Sequence, residues 1–311
     1  MLNVNKCILS DNINSKDDKM KQEIKKIKGL SLIAVLILLF ANGSVVTAKT
    51  GDEKVVTASL SLYTGSSTIF AQYLGDQEYT GSILGVAAEF GSMYKRSENL
   101  SWDIDLTYLG LASGVFQASN PAETSAYGTN RINADYGTYY NWNPVKNLYI
   151  KAGGSFDVLF ANILAGPDHV NNMLETDLQT QLKAGAGIKY GWNFKKTGIF
   201  LQANLEVPFM GIALSGTQYE SSLDALIKGE ILAGTINPFC FTSFHNLTGF
   251  NADIEAEFVL KKTTIFMTYE MNHRAWKLYD LNNTRKYNMI RLGLRVDLAA
   301  HNRVKSGNRY F

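Results

Sequence analysis

The residues best suited to acid–base catalysis are the four histidines of this 311-residue sequence. They are His169, His245, His273 and His301. His169 directly follows Asp168, and His245 lies two residues after Ser243. An Asp-His pair can orient a general base, but adjacent side chains of a strand point in opposite directions, and no spacing matches a Ser-His-Asp triad. His, Cys and carboxylate residues also lack the spacing of metal ligands. We therefore expect no catalytic site, metal or cofactor, and the alternative is a hydrolase that uses a loop histidine and a carboxylate.

Most other titratable residues alternate with apolar residues. Between Asn288 and Leu298, every second residue from Ile290 onward is aliphatic, while Arg291 and Arg295 lie between them. This period of two is typical of a β-strand with one apolar and one polar face. Ten segments show it, namely Lys54–Thr64, Ser82–Tyr94, Leu100–Tyr108, Ile132–Trp142, Leu148–Phe160, Leu178–Phe194, Ile199–Phe209, Phe250–Leu260, Thr264–Leu278 and Asn288–Leu298.

The alternation places the charged side chains on one face, which we expect to be the inside of a closed barrel. The acids on this face are Glu89, Asp103, Asp105, Asp135, Asp157, Glu206, Asp253, Glu255, Glu257, Glu270 and Asp297, and the bases are Lys151, Lys183, Lys189, Arg274, Arg291 and Arg295. A barrel of about ten strands is only slightly wider than one that its own side chains fill. The sequence therefore predicts a lumen packed with ion pairs. The alternative is a narrow water or solute path that prefers cations, because acids are in surplus.

The connections between the ten segments alternate between long and short. The short ones are Lys95–Asn99, Asn143–Asn147, Lys195–Gly198 and Lys261–Thr263, and the long ones are Gly65–Gly81, Gln117–Asn130, Ala161–Thr176, Met210–Gly249 and Tyr279–Arg285. All short connections then lie at one end, as the periplasmic turns of outer-membrane barrels do, opposite the long extracellular loops. Aromatic residues beside the short connections suit the lipid headgroup level, and they are Tyr94, Trp102, Tyr140, Trp142, Tyr190, Trp192 and Phe194.

An all-β, antiparallel, up-and-down barrel that spans a membrane explains why charge stays on one face. A closed barrel satisfies every backbone group in hydrocarbon, and an arginine that faces lipid near the midplane costs roughly 2–4 kcal/mol. We therefore expect outer-membrane lipid to surround the apolar face. The alternative is a periplasmic or lipocalin-like β-protein, which requires polar outer faces.

The first 48 residues differ from the rest and predict a cleaved export signal. Lysines between Met20 and Gly29 precede the apolar segment Leu30–Ala41, and Val46-Thr47-Ala48 has the small residues that signal peptidase needs. We therefore predict cleavage after Ala48 and a true start at Met20. Residues 49–311 then form one barrel domain, with 23 basic and 24 acidic residues. This balance argues against nucleic acid as a partner. Only Cys240 remains, so an internal disulfide is excluded.

Four short motifs resemble an uncharacterised family of Gram-negative outer-membrane barrels. They are Tyr79-Thr80-Gly81, Glu206-Val207-Pro208-Phe209-Met210-Gly211, Tyr219-Glu220 and Asn308-Arg309-Tyr310-Phe311. The resemblance implies a domain of unknown function and supplies no activity. The terminal Phe311 also resembles the signal that the outer-membrane assembly machinery reads.

The connection Met210–Gly249 is unusually apolar, which predicts burial. Ser222 can begin a short helix whose apolar face carries Leu223, Leu226, Ile227 and Ile231, and Phe239, Phe241 and Phe244 surround Cys240. We expect a lid over the barrel mouth, and the alternatives are a plug that gates the lumen or a surface for a lipid, glycan or protein ligand. The sequence thus favours a non-enzymatic barrel that binds ligands or surfaces or has a narrow, charge-lined pore. A membrane-embedded hydrolase, a protease or a lipid-modifying enzyme, is the alternative.

Overall fold

The computed structural model describes residues 53–71, 78–97, 100–118, 124–165, 174–194, 197–214, 239–260, 263–278 and 281–301. Regular structure in these ranges consists of β1 (Glu53–Ala71), β2 (Glu78–Ser97), β3 (Leu100–Ala118), β4 (Thr124–Val145), β5 (Leu148–Ala165), β6 (Leu174–Asn193), β7 (Thr197–Leu214), β8 (Phe239–Ser243), β9 (Leu247–Leu260), β10 (Thr263–Leu278) and β11 (Leu281–His301). No helix in these ranges is long and apolar enough to cross a membrane. The expected signal segment, the helix after Ser222 and Phe311 lie outside the described residues and stay predictions.

The strands close into an antiparallel barrel with ten positions around its circumference. Strands from β1 to β7 and from β9 to β11 pair with their sequence neighbours, and β1 pairs with β11 to close the ring. β7 pairs with β8 over Met210–Leu214 and with β9 over Thr197–Glu206, so β8 and β9 occupy one position in succession. The predicted all-β barrel is confirmed. We call the end where β4 meets β5 the turn end and the opposite end the loop end.

Side chains alternate between the two faces of the barrel wall as the sequence predicts. On β1, Leu60 and Leu62 are 65% and 64% exposed, while Ser61 between them is buried. On β11, Leu292 is 60% exposed and its neighbour Arg291 is buried. Aliphatic side chains therefore form the outer surface of the barrel, and the predicted charges point into its lumen.

The strands are longer than the alternation predicts, and the connections are correspondingly shorter. β1 extends to Ala71 and β2 begins at Glu78, so most of the predicted connection Gly65–Gly81 is strand. Strand residues also occupy parts of the predicted connections Gln117–Asn130, Ala161–Thr176 and Tyr279–Arg285 and of all four short ones. The reason is visible on β1, where the outer face is aliphatic up to Leu62 and carries Thr64 beyond it. Once the outer face is polar, the alternation no longer marks a strand, although backbone pairing continues.

A three-residue turn, 244–246, separates β8 from β9, and the side chain of Asn246 holds it. Asn246 Oδ1 accepts the N–H of Ser243 at 2.8 Å, and Asn246 Nδ2 donates to the carbonyl oxygen of Phe241 at 3.0 Å. The predicted connection Met210–Gly249 begins in β7 and ends in β9, and β8 also lies within it. The predicted burial of Phe241 and Phe244 is wrong, because Phe241 lies on β8, which continues the wall, and Phe244 lies in the turn that follows, and they are 58% and 69% exposed.

Apolar side chains from β1, β2, β3 and β11 fill part of the lumen at the loop end. The cluster contains Tyr63, Ile69, Tyr79, Ile83, Ala87, Leu109 and Met289. The Tyr63 ring covers Gly85, where an added Cβ would lie 2.5 Å from the ring, and its hydroxyl donates to the carbonyl oxygen of Gly110 at 3.3 Å. Only glycine fits at position 85 beneath this ring. The interior is therefore not polar throughout, in contrast to the packed polar lumen that the alternation predicts.

Candidate functional site

Lys183 lies at the centre of the first ion-pair group in the lumen. Its Nζ atom is 2.9 Å from Asp135 Oδ2, 3.1 Å from Glu206 Oε2 and 3.4 Å from Asp157 Oδ2. The four residues come from four consecutive strands, β4 to β7, whose inward positions lie side by side. The Tyr139 hydroxyl donates to Glu206 Oε1 at 3.1 Å. The Lys183 side chain is only 2% exposed, so a nearly buried ammonium group lies within ion-pair distance of three carboxylates.

Arg274 joins this group from the far side of the barrel. Its Nη2 atom lies 3.4 Å from Asp157 Oδ2, and the two strands that carry these residues, β10 and β5, are four positions apart in the ring of ten. Asp157 is completely buried. These two side chains therefore meet across the lumen at this level.

Arg291 and Arg295 on β11 organise a second ion-pair group nearer the turn end. The group contains Arg291, Arg295, Lys189, Glu89, Glu255, Glu257 and Glu270. Arg295 Nη1 lies 3.0 Å from Glu255 Oε1 and 2.5 Å from Glu257 Oε1, and Arg291 pairs with Glu89 on β2. The guanidinium groups thus link β11 to strands on both of its sides. Their planar donors suit the binding of several carboxylate oxygens at once.

Both groups line one polar chamber of about 340 Å³. Its charged lining residues are the acids Glu89, Asp103, Asp105, Asp135, Glu206, Asp253, Glu255, Glu257 and Glu270 and the bases Arg131, Lys151, Lys183, Lys189, Arg291 and Arg295. Asp105 forms no ion pair with any residue that the structure describes, and Asp103 lies 3.9 Å from Lys151. Asp253 accepts a hydrogen bond from Asn204 Nδ2 at 2.9 Å. The chamber therefore carries a surplus of negative charge.

All but three of the predicted inward charges line this chamber. Asp157 and Arg274 meet at its loop end, and Asp297 lies on β11 towards the turn end. The alternation of apolar and polar residues along the strands alone was sufficient to assign the predicted charged residues to the lumen. It could not say which of them form pairs.

Three further charged residues of the lumen were missed by the sequence analysis. Arg285 on β11 lies 2.5 Å from Asp177 on β6, again four positions away in the ring, and Arg131 lines the chamber from β4. Arg285 falls in a predicted connection, while Asp177 and Arg131 each directly precede a predicted strand. A continued period of two from Arg291 through Met289 to Arg285 could have revealed the first of them.

Ser243 and His245 lie together in the turn between β8 and β9. Ser243 Oγ and His245 Nδ1 share a hydrogen bond of 2.5 Å. No carboxylate in the described ranges contacts His245, and His273 packs edge-on against Phe250 with 6.0 Å between ring centroids. Asp168-His169 lies outside the described residues. Within those residues no three His, Cys, Asp or Glu side chains are placed to hold a metal ion.

Comparisons with known proteins identify a family and similar folds. Residues 30–302 match the family described as "Protein of unknown function (DUF3316)". A search of curated proteins returns no match. Among solved structures, the chain is similar to the outer membrane protease OmpT from Escherichia coli, with 8% identity over 79% of this chain and 96% of that chain and a TM-score of 0.42. It is also similar to the transport unit of the autotransporter AIDA-I from Escherichia coli, with 11% identity, coverage of 78% and 90%, and a TM-score of 0.40.

Proposed function

Because the chain belongs to the DUF3316 family of proteins of unknown function, its role has to follow from its own barrel, and we propose that it is a non-enzymatic outer-membrane barrel with a closed lumen. The observation that carries the proposal is the contact of Arg274 with Asp157 across the lumen. Arg285 and Asp177 form a second crossing between opposite walls. Two ion pairs that cross the lumen obstruct a path along its axis, and we therefore place the activity at the surfaces and loops of the loop end.

The outer surface of the barrel supports a place in the outer membrane. On β11, Ile290, Leu292 and Leu294 are 50%, 60% and 54% exposed, whereas a barrel surrounded by water would carry polar residues at these positions. Export through a cleaved signal of residues 1–48 belongs to the same proposal, as do periplasmic short turns and recognition of Phe311 by the assembly machinery. The partners are then outer-membrane lipid and a ligand that contacts the extracellular loops.

Conductance of the full-length protein in planar lipid bilayers tests the closed lumen. We expect no stable open-channel steps, because the crossings at Asp157 and Asp177 fill the cross-section. Replacing both arginines, Arg274→Ala and Arg285→Ala, should produce small steps that prefer cations, since the acidic chamber then becomes continuous. Lys277→Ala, on the outer face of β10, is the matched control and should remain silent. Long-lived steps from the unchanged protein would overturn the proposal.

The second candidate is a hydrolase, and the hydrogen bond between Ser243 and His245 favours it. A histidine that accepts the serine proton would activate Ser243 Oγ as a nucleophile. The neighbouring exposed Phe241 and Phe244 suit a lipid or apolar peptide substrate. A fluorophosphonate probe tests this candidate, because the serine oxygen attacks phosphorus, fluoride leaves and the histidine takes the proton. Labelling that disappears in Ser243→Ala would support a hydrolase, and absence of labelling in the unchanged protein would exclude this serine as its nucleophile.

A further inference from the structure

A small cavity of about 20 Å³ lies at the loop end of the lumen, beside the Arg285–Asp177 pair. Arg131, Arg274 and Trp276 also line it. A space of this size is sufficient for one water molecule or one monatomic ion, whereas a phosphate or a carboxylate is too large. The chemistry of the lining therefore decides what occupies it.

Apart from Arg285, which is paired with Asp177, three N–H donors of the lining residues have no acceptor in the described part of the chain. They are Arg274 Nη1, Arg131 Nε and Trp276 Nε1, and each is buried. Arg274 and Trp276 are both only 4% exposed. Guanidinium and indole N–H groups can only donate, and buried donors are rarely left without an acceptor. All three residues line the same cavity, and we infer from this an occupant that accepts hydrogen bonds.

The charges around the cavity also point to an occupant that accepts hydrogen bonds. Three guanidinium groups line it, whereas Asp177, the one carboxylate in its lining, already contacts Arg285 at 2.5 Å. Arg274 shares Asp157 with Lys183, and Arg131 forms no ion pair with a described residue. Positive charge is therefore in surplus among the residues that line this cavity.

We propose that this cavity binds a single anion of halide size, for which chloride is the abundant candidate. The anion accepts hydrogen bonds from Arg131, Arg274 and Trp276 and compensates the unpaired guanidinium charge. A water molecule can also accept these bonds, and it could donate to Asn272 Oδ1, which lines the cavity without a partner of its own. Water leaves the surplus charge in place, and this difference separates the two occupants.

Trp276 gives the site a direct optical signal. Replacing the other tryptophans, Trp102, Trp142 and Trp192, by phenylalanine leaves Trp276 as the single emitter of the full-length protein in detergent. Bromide quenches indole fluorescence on contact. Titration of potassium bromide against potassium glutamate at constant ionic strength should therefore give saturable quenching, and added chloride should reverse it by competition.

The variant Arg131→Gln tests the site without breaking either crossing ion pair. It should weaken bromide binding by about tenfold or more, because one charge-assisted hydrogen bond and the uncompensated charge are lost. Lys277→Gln removes one charge from the outer face of the same region and should leave binding unchanged. Quenching that rises linearly with bromide and is identical in Arg131→Gln would mean that only water occupies the cavity, and it would overturn the proposal. If Arg131→Gln fails to fold, anomalous diffraction from bromide-soaked crystals of the unchanged protein decides, with a peak expected between Arg131, Arg274 and Trp276.

Discussion

Replacing Lys183 by methionine should destabilise the barrel strongly, because the change removes the only ammonium group among three carboxylates. Asp157 is completely buried, while Asp135 and Glu206 are 14% and 24% exposed. Each retains a second partner, Ser155 for Asp135, Arg274 for Asp157 and Tyr139 for Glu206. Breaking a buried ion pair from one side costs about 3–5 kcal/mol, since the remaining charge is left uncompensated. We therefore expect Lys183→Met to lower the free energy of unfolding by about that amount.

Urea unfolding of the protein in lipid vesicles, followed by tryptophan fluorescence, measures this loss. Lys151→Met is the matched control, because Lys151 lines the same chamber but has a single ion-pair contact, 3.9 Å from Asp103, and both side chains are nearly 20% exposed. Its loss should be below about 1 kcal/mol. Equal losses in the two variants, or a Lys183→Met barrel as stable as the unchanged protein, would refute the account of the ion-pair group.

Three other substitutions test the packing, the outer face and the turn. Gly85→Ala places a Cβ 2.5 Å from the Tyr63 ring and 2.8 Å from the carbonyl oxygen of Gly110 and should cost about 1–3 kcal/mol in the same unfolding assay. The cost should fall in a Tyr63→Ala background, where only the contact with Gly110 remains, and an undiminished cost there would contradict the clash with the ring. Leu292→Arg should cost roughly 2–4 kcal/mol in lipid vesicles, whereas Thr284→Arg, beyond the aliphatic part of β11, should cost under about 1 kcal/mol, and similar costs would speak against a lipid-facing band. Asn246→Ala removes two hydrogen bonds from the turn after β8 and should cost about 1–2 kcal/mol and speed proteolysis there, while unchanged cleavage would show that the turn does not depend on this side chain.

The strands of the barrel wall can be predicted from the sequence because the outer face is aliphatic and the inner face is charged. Ile290 and Leu292 alternate with Arg291 in the chain, and the structure places the aliphatic residues outside and the arginine inside. The pattern stops at Asn288, where the outer face becomes polar, although β11 begins at Leu281. Strand ends beyond the aliphatic band carry no alternation, and the sequence alone therefore underestimates the length of the strands.

The pairs inside the lumen do not follow from the sequence. Asp157 and Arg274 are 117 residues apart, and their contact depends on how the registers of all strands accumulate around the closed ring. The alternation assigns a residue to the lumen but determines neither its position along the barrel axis nor its ion-pair partner. The same limit applies to Arg131 and Trp276, whose unsatisfied donors became visible only once the strands were assembled.

Spin-label accessibility along the outer face of β11 tests the central claim, a barrel whose aliphatic band lies in a membrane, most directly. In a background that carries Cys7→Ser and Cys240→Ser, single cysteines at Asn282, Thr284, Lys286, Asn288, Ile290, Leu292, Leu294, Val296 and Leu298 each carry a nitroxide in lipid vesicles. We expect labels from Ile290 to Leu298 to be accessible to oxygen and shielded from a water-soluble nickel complex, and labels from Asn282 to Asn288 to show the reverse. Access of the nickel complex to all of these positions would contradict a membrane-spanning barrel.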